Sequence, residues 1–382
     1  MSRSHKKNKF DSDKEVHLKR SDIKAYSEDE DAFPVYIPTL ENKKKKKKKK
    51  WKKVLLIIFL IIFLLIAVTA GAFFYLQYRG QQELVSYDDV TVDSIEEAIV
   101  QNDGKTVTYN GKTYRLNENI TSIACMGVDK EYLGTYADKI GTAGQADTNM
   151  VLAIDTQTGK VTVITIPRDI MVDIGVYTVD GDYVGIENQQ LCLAYAYGDG
   201  KHTSCKNTVE AIQRVLFGIP VQSYISLDMD GIGPINDSIG GVTVTSPETI
   251  ADFYEGQTVT LYGKRALDFV RARGDDVNAS IRRMQRQMAY VSAFASSAVS
   301  SAKRDLGTIT RLYNTATKYS CTNVGLSDVT YLATTLISKG VTGLETVSVP
   351  GEMKQGEKYA EFYMDTRATY EMILDVFYTE VA

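Results

Sequence analysis

The chain has 382 residues, with 44 lysines and arginines against 48 aspartates and glutamates, and a formal net charge of −4. Of its three histidines only His202 lies beyond residue 17, so a serine–histidine hydrolase or a multi-histidine metal centre has little to draw on. The near-balance of charge hides two parts: residues 1–53 carry 18 basic and 9 acidic side chains, and the remainder 26 basic and 39 acidic.

Met1–Asn42 is polar and charged with little apolar periodicity, and reads as a disordered tail. Lys43–Lys50 is unbroken lysine, followed by Trp51, Lys52 and Lys53. Such a run can bind nucleic acid. A juxtamembrane role fits better, because each lysine near anionic lipid is attracted by about 1 kcal/mol; no nucleic-acid partner is expected. Val54–Leu76 then runs without a charge. As a helix it reaches about 35 Å, enough for a hydrocarbon core of about 30 Å. Its length and its distance from the start argue against a cleaved signal peptide and for a signal anchor. The lysines place the N-terminus in the cytoplasm and everything after about Tyr78 outside the cell membrane. The expected organisation is a basic cytoplasmic tail (1–53), a transmembrane anchor (54–78), a stalk and hairpin (79–120) and an extracellular catalytic domain (121–382).

Gln81–Gln101 reads as a polar stalk with a short helix over Val92–Val100. Thr106–Thr108, Asn110-Gly111 and Thr113–Leu116 read as a hairpin with a type I′ turn. Ser122–Met126, Asn149–Asp155 and Val161–Ile166 are apolar enough for buried strands, the last stopped by Pro167. Thr208–Phe217 has helical spacing, and Ser223–Leu227 is a strand. Ile232–Ile239 is a helix ended by Gly240-Gly241, and Val242–Thr245 a short strand. Ala266–Arg271 closes a helix, and a long helix covers Ile281–Ala302. Helices over Ile309–Lys318 and Leu326–Ser338, a strand over Leu344–Val349 and a helix from Thr366 to Tyr378 complete the chain. Alternating strands and helices make this an α/β protein.

All four cysteines, Cys125, Cys192, Cys205 and Cys321, follow the apolar span. A Cys192–Cys205 disulfide would close a short loop and add about 3 kcal/mol by the chain-entropy argument; the alternative is two independent buried thiols. No CxxC spacing supports zinc.

Arg271, Arg273, Arg282, Arg283 and Arg286 fall within sixteen residues. Pairs of such charges at about 5 Å repel by about 3 kcal/mol at an effective dielectric near 20, so an anion among them is the natural reason for the cluster, and guanidinium forks suit phosphate. Arg283, Arg286 and Gln287 share one face of a helix, with Arg282 turned elsewhere. Asp129, Asp147, Arg168 and Asp169 lie at the ends of apolar strands, where α/β sheets place ligands. Carboxylates beside arginines suit Mg²⁺ bridging phosphate oxygens, although each aspartate alone would more often cap a turn.

Three stretches together resemble the LytR–CpsA–Psr family of cell-wall glycopolymer transferases. They are Ile166-Pro167-Arg168-Asp169; Leu193-Ala194-Tyr195-Ala196-Tyr197-Gly198 with the later Ile239-Gly240-Gly241-Val242; and Leu267–Arg273 followed by Arg283–Gln287. The resemblance covers about residues 123–291. It implies a mixed-sheet α/β sandwich with an apolar groove for a polyprenyl chain. The implied activity is phosphotransfer of a glycopolymer from a polyprenyl-pyrophosphate carrier to a peptidoglycan hydroxyl, forming a phosphodiester at the outer face of the membrane. On this resemblance Asp129 and Asp147 hold Mg²⁺, and Arg168, Arg271, Arg273, Arg283 and Gln287 contact the pyrophosphate. No general base is assigned, Asp147 being the nearest candidate. Met288, Val291 and Phe294 are considered for the lipid groove, against ordinary core packing. Three positions depart from the family pattern. Glu131 stands for an arginine, Gln145-Ala146 for Arg-Ser, and Ser280 for an aspartate whose place Asp275 or Asp276 would have to take. These departures keep open a second reading, a lipid-binding or regulatory envelope protein without turnover.

Overall fold

The computed structural model describes residues 45–84, 92–130, 133, 136–274 and 279–381. Helix α1 (Lys45–Leu84) is followed by β1 (Ile99–Gln101), β2 (Thr106–Tyr109) and β3 (Lys112–Leu116). Three long strands come next, β4 (Ile120–Val128), β5 (Ala146–Asp155) and β6 (Lys160–Ile166), then a hairpin of β7 (Met171–Tyr177) and β8 (Tyr183–Gln190). Helices α2 (Cys192–Ala196) and α3 (His202–Val215) lead into β9 (Ser223–Leu227), α4 (Ile232–Ser238), β10 (Val242–Thr245) and β11 (Thr258–Leu261). Helices α5 (Lys264–Arg271), α6 (Ala279–Arg304) and α7 (Gly307–Ala316) precede β12 (Ser320–Thr322), α8 (Leu326–Lys339) and β13 (Gly343–Ser348). A second hairpin of β14 (Gly351–Gln355) and β15 (Ala360–Met364), then α9 (Thr366–Phe377) and β16 (Tyr378–Val381), end the chain.

Two compact units divide it at Ala70. Within the first lies most of the stretch Leu56–Leu84, which is long and apolar enough to cross a membrane. There Thr69 turns its hydroxyl back onto the Leu65 carbonyl at 2.9 Å, so the helix satisfies its own polar side chain.

The second unit, Gly71–Ala382, is built on a six-stranded sheet in the order β12-β9-β4-β5-β6-β13. β4, β5 and β6 run antiparallel to one another, while β9 and β13 join parallel to β4 and β6. Alternation along the strands sorts side chains to two faces. Ala124, Met126, Val151, Ala153, Ile164 and Ile166 pack with α2, α3 and α9 on one face. Ile123, Ile154 and Val161 pack with Leu84 and with Tyr331 and Leu332 of α8 on the other. The sheet is therefore mixed and covered on both faces, as the α/β reading expected. A third apolar cluster joins β10 and β11 to α5 and α6 around Phe253, Phe269 and Tyr290.

Residues 92–120 depart from the expected stalk. Val92, Ile95, Val107, Tyr109 and Leu116 are buried in the main core, and the expected hairpin (β2–β3) forms a four-stranded sheet with β1 and the C-terminal β16. No helix forms over Val92–Val100. Its β-branched end pairs instead as an extended edge, with Val100 opposite Val107. Gly104, at φ +91°, lets Val92 pack closely against the turn after β1, since a Cβ there would come within 2.5 Å of the Val92 Cβ.

Candidate functional site

β5 and β6 end side by side, and the residues beyond their core segments carry the charge. Arg168 follows β6 through Pro167, and its side chain is about a quarter exposed. Its guanidinium forks between neighbours: Nη1 pairs with Asp147 Oδ1, and Nη2 donates to Gln145 Oε1 at 2.7 Å and lies 3.4 Å from Cys192 Sγ. Nε lies 3.3 Å from Asp169 Oδ1, in ion-pair range but not aligned as a hydrogen bond. Burial pulls the Arg168 pKa down, yet Cys192, Asp147 and Asp169 more than offset it and leave it raised. Asp169 has the opposite balance. Burial raises its carboxyl above the usual carboxylate value more than the adjacent Arg168 lowers it.

Across from this fork stands the first turn and a half of α6. Arg283 is half-buried and, among the described residues, makes no ion pair. Burial lowers its pKa, Arg273 and Arg168 lower it further, and Asp147 and Asp169 oppose them. One turn on, Gln287 bridges β5 and α5, with its Oε1 3.4 Å from Thr148 Oγ1 and its Nε2 3.3 Å from the Val270 carbonyl. Between the two sides opens a cavity of ≈ 370 Å³. Asp147, Arg168, Asp169, Arg283 and Gln287 form its polar wall. Met150, Ile166, Val349, Met353 and Phe362 make the rest predominantly apolar. A charged head beside an apolar lining fits an amphiphile carrying phosphate at one end.

The five arginines separate into three settings, with Arg283 on the cavity wall. Arg286 is fully buried and paired with Glu248, and it also donates to the carbonyls of Phe269 and Ala272. Arg282 joins the same glutamate at 3.0 Å. These two are part of the scaffold: they tie α6 to the end of α5. The shared face expected for Arg283 and Arg286 is thus not a shared role. Arg271 and Arg273 are both exposed and do not line the cavity, although Arg273 acts electrostatically on Arg283.

Asp129 also stands apart. It is exposed, outside the cavity lining, and its Oδ1 accepts the Gln145 N–H at 2.7 Å while its own N–H donates to the Gln145 carbonyl. Gly144, at φ +88°, leaves room for this carboxylate, which a Cβ there would meet at 3.0 Å. Asp129 therefore caps the turn into β5, the role an isolated aspartate most often has. Gln145, one of the departures from the family pattern, buttresses Arg168 from that same turn. Glu131, Asp275 and Asp276 lie outside the described residues, as does the side chain of Ser280. Of the apolar trio, Met288 sits against Thr165 and Phe294 packs on Tyr290; Met284 lines the cavity instead.

The Cys192–Cys205 disulfide does not form, and all four cysteines are free thiols. Asp199 accepts the N–H groups of Lys201, Thr203 and Ser204 and fixes the turn between α2 and α3. That turn sends Cys192 to Arg168 and Cys205 to Ser226, where its Sγ is 3.3 Å from the hydroxyl. Burial pushes the Cys192 thiol up to about 11. Sequence inspection missed Cys192 as a neighbour of the site, and missed Val349, Met353 and Phe362 as walls.

Residues 84–374 match the profile of the LytR_cpsA_psr family. The chain belongs to that family. Among curated relatives, it is 30% identical over 187 residues to the polyisoprenyl-teichoic acid–peptidoglycan teichoic acid transferase TagU of Oceanobacillus iheyensis, covering 48% of this chain and 53% of the relative. It is 28% identical over 227 residues to TagU of Bacillus subtilis (strain 168), covering 57% and 61%. The match thus spans between about half and three fifths of those relatives' length. The crystal structure of B. subtilis TagV superposes with a TM-score of 0.54 at 21% identity, covering 67% of this chain and 95% of that one, a likeness of fold.

Proposed function

We propose that this LytR_cpsA_psr-family protein transfers a glycopolymer from a polyprenyl-pyrophosphate carrier to a peptidoglycan hydroxyl, forming a phosphodiester, while anchored by α1 with its body outside the cell membrane. The observation that carries this reading is the pairing of Arg168 with Arg283 across a cavity whose remaining wall is apolar. Arg283, half-buried and without an ion pair among the described residues, is unfavourable unless an anion joins it, and the two guanidinium groups would face a pyrophosphate from opposite sides. The transferase names of the TagU relatives point the same way. The lysine-rich flank of α1 supports a cytoplasmic N-terminus.

In this mechanism the lipid lies along Met150, Ile166, Val349, Met353 and Phe362, and the pyrophosphate lies between Arg168 and Arg283. Arg273 adds long-range positive potential at the rim, and Gln287 holds α6 against β5. The acceptor hydroxyl attacks the glycan-side phosphorus in line. An oxygen–phosphorus bond forms, the bond to polyprenyl phosphate breaks, and the arginines hold the charge that spreads onto the oxygens. We assign the hydroxyl proton to Asp169, whose carboxylate burial makes more basic than an exposed one. Asp147 is tied to Arg168 and orients it.

A magnesium ion fits this chemistry in part. Asp147 faces the cavity and would be the protein's ligand to the ion, whereas Asp129 lies outside the cavity lining with Oδ1 held on the turn. With one carboxylate the ion would draw its other ligands from phosphate oxygens and water, and would neutralise phosphate charge when bound. Among the described residues no group of three or more His, Cys, Asp or Glu side chains could hold a metal, so the substrate would have to complete the site. The test is release of polyprenyl phosphate from a synthetic polyprenyl-pyrophosphate glycan by the detergent-solubilised protein, with peptidoglycan and Mg²⁺. Arg168→Ala is expected to abolish release while leaving the protein folded. Undiminished release in that variant would overturn the reading.

A further inference from the structure

A second cavity, of ≈ 430 Å³, shares no lining residue with the first. Cys321 forms part of its wall beside Lys201 and His202. This cysteine lies in the edge strand β12, opposite Ser226 of β9. Cys205 reaches the same serine from α3, its Sγ 3.3 Å from the hydroxyl, and that hydroxyl donates to the Cys321 carbonyl at 3.3 Å. Two thiols from distant parts of the chain therefore converge on one residue, close enough for each to act on the other's ionisation. The pair is asymmetric. Cys321 opens on the cavity, with Nδ1 of His202 3.5 Å from its sulfur and the Tyr224 hydroxyl 2.7 Å from that same nitrogen. Cys205 is fully buried and is not among the residues that line this cavity. The interaction with Cys205 pulls the Cys321 thiol down against the effect of burial, and the same interaction, with burial, pushes Cys205 up. Neither residue belongs to the site described above.

We propose that Cys205 and Cys321 are a redox-modifiable dithiol, with Cys321 the attacking thiol, Cys205 the resolving thiol, and a small disulfide such as oxidised glutathione the oxidant. In the first step Cys321 gives its proton to the neighbouring imidazole and attacks one sulfur of the disulfide. A mixed disulfide forms, and one thiolate leaves. In the second, the Cys205 sulfur, losing its proton, attacks the Cys321 sulfur; the protein disulfide forms and the second thiolate leaves. The two protons end on the two released thiols, so two protein thiols are oxidised for one disulfide reduced. The product staples α3 to the edge strand of the main sheet.

The test treats the detergent-solubilised full chain with oxidised glutathione, alkylates the remaining thiols, and maps peptides by mass spectrometry. Two of the four thiols are expected to resist alkylation and to appear as a Cys205–Cys321 linked peptide that dithiothreitol releases. In Cys205→Ser the reaction should stop at a glutathione adduct on Cys321. In Cys321→Ser, Cys205 should stay alkylatable after denaturation. Four alkylated thiols after oxidation, a linkage through Cys192, or an adduct on Cys205 in the Cys321→Ser protein would each overturn the proposal.

Discussion

Replacing Arg286 by alanine takes away a fully buried guanidinium and strands everything it satisfies. Glu248, its partner, is about one-tenth exposed at the side chain, and the carbonyls of Phe269 and Ala272 lose a shared donor. Arg282 still reaches Glu248, but from a more exposed position. Breaking a buried pair by removing one partner costs about 3–5 kcal/mol, because the remaining charge stays in a poorly solvated place. In a body of this size each kcal/mol moves the midpoint by about 1.5 °C, so Arg286→Ala should melt about 5–8 °C lower. Arg283→Ala should behave oppositely. It relieves a half-buried cation that pairs with nothing among the described residues, so its melting point should hold or rise while affinity for a polyprenyl-pyrophosphate lipid falls at least tenfold. Differential scanning fluorimetry in detergent and a lipid-binding titration read the two effects separately. The double variant Glu248→Leu with Arg286→Met should recover much of the lost stability, since a buried pair can be replaced by well-packed apolar residues. If Arg286→Ala kept the parental melting point and lost the lipid, or Arg283→Ala unfolded, the division of the cluster would be wrong.

Arg168→Lys should lose most transfer, at least tenfold, because one ammonium cannot span Asp147 and Gln145 as the planar fork does; a turnover assay decides it. Gln145→Ala removes only one buttress, so a few-fold loss in turnover is expected with an unchanged melting point. If Asp169 takes the hydroxyl proton, the rate should fall on acidification with an apparent pKa above the ordinary carboxylate value of 3.8, and Asp169→Asn should remove that limb along with most activity. The linkage runs the same way for stability. A raised folded-state pKa favours folding below the unfolded value and loses that contribution as pH rises through the folded value, so by this term Asp169→Asn should be no less stable at neutral pH. Leu84→Ala should lower stability by about 2–4 kcal/mol in chemical denaturation, since Leu84 is almost fully buried against the α8 cluster; a change below about 0.5 kcal/mol would show that the end of α1 is not part of the body.

How far the sequence foretold this structure depended on burial. β9 and β10 fall where apolar alternation and the Gly240-Gly241 stop place them, and α6 extends only two residues beyond its expected ends on each side. These elements bury one definite face, and burial writes the period into the residues. The hairpins β7–β8 and β14–β15 escaped notice because they do not: β8 alternates little and is largely exposed, and all of β14 is exposed. Yet β14 and β15 bring Met353 and Phe362 to the cavity, so part of its apolar wall came from the least patterned part of the chain. At the polar end, two of the strand-end charges, Asp147 and Arg168, pair with each other and line the cavity. Nothing in residue order could separate Asp147, which faces Arg168, from Asp129, which turns to the backbone of Gln145.

The arginine cluster shows why distant partners decide such questions. Like charges at that density must be compensated, but the compensation can come from the protein or from a ligand. Glu248 lies 38 residues before Arg286, in a loop after β10, and no local spacing links the two. Once it neutralises Arg286 and contacts Arg282, the folded chain has dealt with the inner part of the repulsion. Arg283 receives no such partner among the described residues, although it sits one position away on a helix that turns it toward Asp147 and Arg168. Among the described residues a carboxylate stands against Arg282 and Arg286 and none directly against Arg283, and on the proposed function an anion from outside takes that position. The apolar wall beside it would then suit a hydrocarbon chain carried by that anion.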